Sequence, residues 1–234
     1  MPEPIPLFPL NVVLVPGLVL PLHIFEPRYR DMVQSLLRKP DPQSREFGIA
    51  TVREGRSFDG QGMDALYPTG TAAVLREVTE LPDGRFDILT TGTRRFRLLS
   101  VQSSQAGSTG GPGDLAVATV EFLEDVEDPG DELIARRARK AFDDYRRLLG
   151  GRLVIGDGEH EDLQDLPDDP TVLSYLITAA IVVPWSERQD LLAADDTATR
   201  LRRAIGLLER ENGIIAALGA VPAVDALGDP GSVN

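Results

Sequence analysis

The chain has 234 residues, 42% hydrophobic and 26% charged, enough to bury a sizeable core in one large or two small domains. Cysteine is absent and histidine occurs twice, at His23 and His160, which excludes disulfides, thiolate metal sites and a multi-histidine zinc site. A formal charge of −13 repels phosphate backbones and argues against nonspecific nucleic-acid binding, and no apolar run reaches the roughly 18 residues of a membrane span.

The N-terminal apolar run is broken by Pro6, Pro9 and Pro16 and has no basic segment before it, so no secretory signal is expected and the cytoplasm is the expected location. The first half reads as β-structure. Short β-branched or aromatic runs at 12–14, 19–25, 47–52, 71–78, 86–91, 96–101 and 115–122 are bounded by Gly, Pro and Asp, and such a series predicts a closed barrel or sandwich. One helix interrupts them: Pro27 suits a first helical position, and Tyr29, Met32, Val33, Leu36 and Leu37 follow at helical spacing. The sequence LPDGRFDIL is a hairpin signal, because Asp83-Gly84 suits the positive φ of a tight turn. Residues 103–114, rich in Gly and Ser, read as a flexible loop.

The second half reads as helices. Ile134, Ala138, Ala141, Phe142, Tyr145 and Leu149 form one apolar face over 131–149, ended by Gly150-Gly151. Asp169-Pro170 caps and opens a helix to residue 181, and the Ser-Glu-Arg-Gln of 186–189 fits a capping box for a helix to 192. A last helix is expected over about 197–211, ended at Asn212-Gly213, with a fraying tail after 218. Charge follows the same division: residues 1–124 carry 12 basic and 15 acidic groups, residues 125–234 carry 12 and 22.

Three motifs are set aside. GQGMDA (60–65) resembles a dinucleotide fingerprint, but Pro68 and Gly70 forbid the helix that must follow it. GSTGGPGD lacks the Lys-Ser/Thr ending of a phosphate loop, and no Gly-Lys pair occurs in the chain. The run 156–169 holds seven acidic groups without calcium-loop order and reads as a solvated linker, a weak cation site being the lesser alternative. No GxSxG elbow is present.

The stretch PLFPLNVVLVPGLVLPLHIFEPRYRDMV places a cluster of ionisable groups where a strand becomes a helix. It resembles the opening of the Lon protease substrate-binding domain, especially its stand-alone bacterial form. The resemblance continues through FGIATV, GTAAVLREVTELPDGRFDILTTGTRRFRLLSV and VEFLED, and more loosely through the helical half to about residue 211. It implies an α+β architecture: a PUA-like β-barrel with one inserted helix over 1–124, an α-helical subdomain over 125–215, and a flexible tail over 216–234. It also implies a non-catalytic module that binds unfolded or extended polypeptide segments or a protein partner, with no cofactor, no metal and no catalytic residue. The binding residues expected are His23, Phe25, Glu26, Arg28, Tyr29, Arg30, Arg94, Arg95 and Phe96. The spacing makes Glu26 a helix-start carboxylate and Tyr29 a core residue. Two rivals are RNA binding, through a basic face built from GTRRFR and EPRYR, and a hydrolase with His23 beside an acid and a nucleophile.

Overall fold

A computed structural model describes residues 1–58, 63–103, 115–125, 131–150 and 166–218. The run 104–114, most of the acidic run with His160, part of GQGMDA and the tail after 218 lie outside the described residues. The chain divides into two compact units between Glu124 and Asp125. The architecture is α+β.

The first unit contains β1 (Glu3–Leu10), β2 (Val19–Ile24), α1 (Pro27–Leu37), β3 (Glu46–Thr51), β4 (Thr69–Glu80), β5 (Phe86–Ser103) and β6 (Ala116–Phe122). The strand order is β2-β5-β4-β3-β1-β6, and β5 also pairs with β6, so five strands close into a barrel and β2 is left as a flap on β5. Among the described strands only β1 and β3 run parallel; the other pairings are antiparallel.

The first strand is not where the apolar run 12–14 suggested. Residues 3–10 form β1 despite three prolines, and the register explains why. Leu10 accepts a hydrogen bond from the Val52 amide, so even-numbered residues of β1 turn their backbone groups toward β3 and odd-numbered ones toward β6. Pro4 and Pro6 therefore aim their missing N–H toward β3, whose pairing begins only at Leu7. Pro9 aims its own toward β6, whose pairing has ended at Leu7. Residues 12–14 are instead held from their carbonyls by threonine hydroxyls: Thr51 Oγ1 donates to Val12 (2.9 Å) and Thr71 Oγ1 to Leu14 (2.6 Å).

The two runs expected at 86–91 and 96–101 are one long strand, β5. The gap between them is a register shift, where Thr71 faces Arg95 but Ala73 faces Gly92. Gly92 makes a close crossing possible: its amide donates to the Leu18 carbonyl, its carbonyl accepts from Gly17 (both 2.9 Å), and a Cβ there would lie 2.3 Å from the Val15 oxygen. The hairpin is as read, with Gly84 at φ +77° and its amide on the Leu81 carbonyl.

Two apolar clusters fill this unit. Inside the barrel, Phe96 lies among Ile5, Leu7, Ala72, Ala118 and Val120. On the other side, α1 lays Tyr29, Met32, Val33 and Leu36 against Phe8, Phe47, Phe86 and Ile88, with the Tyr29 and Phe8 rings 4.0 Å apart.

The second unit contains α2 (Asp131–Leu148), α3 (Pro170–Ala180), α4 (Trp185–Leu192) and α5 (Thr197–Leu218) around a core with Phe142, Tyr145, Leu173, Ile177, Leu201 and Leu208. Asp169 caps α3 by accepting from the Val172 amide at 2.8 Å. Two expected boundaries shift. Helix α4 begins at Trp185, so Ser186 is already inside it, the cap is Pro184, and no capping box forms. Helix α5 runs through Asn212-Gly213 because Ile215 is buried and the Asn212 side chain donates from Nδ2 to the Ala141 carbonyl (3.1 Å); tertiary burial overrides the local stop signal.

Candidate functional site

β2 stands at the end of the strand order with β5 as its partner. The Leu18 carbonyl accepts from the Gly92 amide, so Leu20, Leu22 and Ile24 turn their backbone groups to β5, whereas Val19, Pro21 and His23 turn theirs to the other edge, which is open among the described residues. The edge offers three carbonyls but only two amides, because Pro21 has none. On the adjoining face Val19, Pro21, His23 and Phe25 are exposed; Val19 and Phe25 each keep 46% of their surface in solvent.

His23 lies opposite Asp87 in register, with Nδ1 2.6 Å from Asp87 Oδ1. Its Nε2 is 3.1 Å from Arg85 Nη1. A guanidinium only donates, so Nε2 accepts and the ring proton sits on Nδ1, donated to Asp87. Arg85 in turn bonds Asp83 at 2.6 Å, which makes a four-residue polar chain along the hairpin. The backbone amide and the guanidinium of Arg85 hold the Asp83 carboxyl below its ordinary range. Phe25 lies beside this chain, its ring centroid 6.2 Å from that of His23.

Glu26 is the N-cap of α1, yet its carboxylate caps no amide. It pairs instead with Arg28, Nη2 to Oε2 at 2.6 Å, while the Glu26 carbonyl takes the Tyr29 and Arg30 amides. Arg28 also lies over the Tyr29 ring, 4.7 Å from its centroid. Tyr29 is buried, and that burial pushes its hydroxyl up to about 12. Arg30 is half-buried against the hairpin tip: a Cβ on Gly84 would lie 2.5 Å from Arg30 Nη2.

The residues expected from GTRRF are not brought to this cluster. They lie in the part of β5 that runs beside β6. Arg94 is exposed, 3.0 Å from Glu46, and its guanidinium covers the Phe122 ring at 3.7 Å. Arg95 is 1% exposed and Phe96 is fully buried, with Gly70 and Gly48 opening the space its ring occupies. Neither reaches a surface, which removes both from the site; on a barrel strand of alternating faces, a run of arginines need not share one face. Tyr29 leaves it for the same reason, in keeping with its helical spacing.

Sequence reasoning missed Val19, Arg85 and Asp87. Arg85 and Asp87 join the site through register: Asp87 is 64 positions from His23 and meets it only because β2 pairs with β5. The hydrolase geometry does not form at His23, since the nitrogen that a nucleophile would face meets Arg85. Three arginines of the expected basic face are matched by carboxylates, Arg28 by Glu26, Arg94 by Glu46 and Arg97 by Glu121, and Arg95 is buried. Among the described residues no three His, Asp or Glu side chains gather as a metal site, and no helix is long and apolar enough to cross a membrane.

A sequence model described as the ATP-dependent protease La (LON) substrate-binding domain matches residues 4–210. Lon protease of Escherichia coli (strain K12) is 26% identical over 210 residues, which are 88% of this chain and 25% of that protein. Lon protease of Azorhizobium caulinodans is 27% identical over 218 residues, 90% of this chain and 23% of that protein. The chain thus spans about a quarter of the length of the curated relatives it matches. Among solved structures, a Lon N-terminal domain protein from Xanthomonas campestris aligns with a TM-score of 0.60 at 24% identity, covering 87% of this chain and 98% of that one. The N-terminal domain of a Mycobacterium avium complex Lon protease aligns at 0.64 and 17%, covering 88% and 98%.

Proposed function

The chain belongs to the Lon substrate-binding domain family, and from that premise we propose that it is a non-catalytic module that binds extended or unfolded polypeptide segments. The observation that supports this reading is the open edge of β2. An extended segment laid beside it gains backbone hydrogen bonds from the outward groups of Val19, Pro21 and His23, and apolar contact from Val19 and Phe25 on the same flank. Pro21 withholds one donor, so the edge forms an interrupted ladder. That suits transient capture better than a permanent strand, and it blunts edge-to-edge pairing between copies. The protein is proposed to work in the cytoplasm.

Hydrogen exchange tests the mode directly. On adding a reduced, unfolded polypeptide, the Val19 and His23 amides should gain protection, while those of Leu20 and Leu22, already turned to β5, change little. Phe25→Ala should weaken binding without lowering the melting temperature. Protection that rises only in the helical unit would overturn the reading.

A further inference from the structure

Three carboxylates of this patch are already engaged by side chains of the same chain: Glu26 by Arg28, Asp83 by Arg85, and Asp87 by the His23 ring. Arg30 is left over. Its side chain forms no hydrogen bond or ion pair with a described residue, and its Nε is shut off from solvent without a partner. The adjacent Asp31 does not serve, since successive residues diverge by about 100° around a helix. A half-buried guanidinium without a counter-charge is costly to keep. The Gly84 turn lies flat against it where any side chain would collide with Nη2, so the hairpin fixes the fork without neutralising it.

We propose that Arg30 is the seat for an acidic side chain of the bound segment, so that the preferred partner is an extended polypeptide carrying Asp or Glu close to an apolar residue. This inference rests on the polypeptide-binding reading above. The geometry is that of a segment running along β2 past His23 and Phe25, toward the first turn of α1 and the hairpin tip. There the apolar residue meets Phe25 and the carboxylate meets the Arg30 fork, a planar donor pair matched to a carboxylate's two oxygens. The field of the whole chain, at −13, opposes acidic ligands at a distance, so the preference is one of contact and shows in residence time more than in association rate.

The test uses peptides tiling the lysozyme sequence, screened on an array with the full chain. The strongest binders are remade with single Asp→Asn or Glu→Gln changes and, separately, with amidated C-termini. In fluorescence anisotropy, one acid-to-amide change should weaken binding to the wild-type protein about tenfold, as expected for a charge-assisted contact, and amidation should do nothing. Arg30→Gln should bind acid and amide peptides equally, whereas Arg30→Lys should retain part of the preference. The comparison on wild-type protein does not depend on any variant folding. Equal binding of acid and amide peptides overturns the Arg30 assignment while leaving polypeptide binding intact, as does a preference that survives Arg30→Gln. An effect of amidation alone assigns the seat to a chain terminus and overturns the side-chain assignment. Failure of every peptide to bind overturns both readings.

Discussion

Arg200, wholly excluded from solvent, donates from Nη2 to Asp125 Oδ1 at 3.0 Å, so a charge at the core of the helical unit is matched by the first residue of that unit. The match is elaborate: Arg200 Nη1 donates to Ser174 Oγ (2.9 Å), Nε donates to the Leu191 carbonyl (3.3 Å), and the Tyr175 hydroxyl donates to both Asp125 oxygens. Removing one partner strands the other in a low-dielectric interior. Asp125→Ala should therefore cost about 3–5 kcal/mol in urea denaturation, and Arg200→Met, which removes the buried charge itself, should cost less than Asp125→Ala. A loss under about 1 kcal/mol for Asp125→Ala would place this pair with ordinary surface ion pairs.

The Phe96 ring occupies space that two glycines leave open, but they differ in how much they yield. A Cβ on Gly70 would lie 2.4 Å from Phe96 Cζ and 2.5 Å from the Ile49 carbonyl oxygen, so both ring and backbone must move. On Gly48 the nearest ring contact would be 3.1 Å. Gly70→Ala should destabilise by about 3 kcal/mol and Gly48→Ala by clearly less, measured by chemical denaturation. Equal losses would mean that the barrel interior relaxes more freely than its packing indicates.

Tyr29 supplies a pH signature. Its folded-state pKa, about 12, lies above the ordinary value of 10.0, chiefly because burial disfavours the phenolate. Its contribution to stability is thus complete below pH 10 and is lost as pH rises from there through about 12. Absorbance titration should show this tyrosine ionising late, and Tyr29→Phe should flatten the alkaline fall in melting temperature over that window. An unchanged alkaline limb in Tyr29→Phe would assign the fall to other groups.

Glu26 and Arg28 pair at 2.6 Å, but their side chains remain 35% and 21% exposed, and Glu26 caps no helix amide. Glu26→Ala should therefore cost about 1 kcal/mol or less, and its effect should shrink in high salt. A loss of more than about 2 kcal/mol would instead assign it the capping role that its position suggests.

Much of the framework was readable because local signals and tertiary packing agree. Asp169 caps its helix, Asp83-Gly84 makes its turn, and Tyr29, Met32, Val33 and Leu36 share the buried face their spacing predicts. Apart from the shifted boundaries of the last two helices, the misreadings come from long-range register. Nothing near residues 3–10 says that their prolines fall where no partner strand lies. Nothing near Arg95 and Phe96 says which face of β5 closes the barrel. The site divides in the same way: His23 and Phe25 belong to a local cluster, whereas Asp87 and Arg85 join it only through strand pairing across more than 60 positions.

The prolines of β1 carry a consequence for how the chain avoids folding wrongly. In the native alignment each of the three aims its missing N–H where no partner strand lies. A slip of one residue, which turns each backbone group to the opposite neighbour, would set Pro4 and Pro6 against β6 and leave carbonyls there without donors. Two facing apolar strands would tolerate such a slip on hydrophobicity alone; here each misplaced proline subtracts a hydrogen bond. The prolines act as an error check, removing no ladder hydrogen bond in the correct structure and penalising the near-miss, so that replacing Pro4 and Pro6 by valine would leave the native barrel intact while making its assembly less faithful.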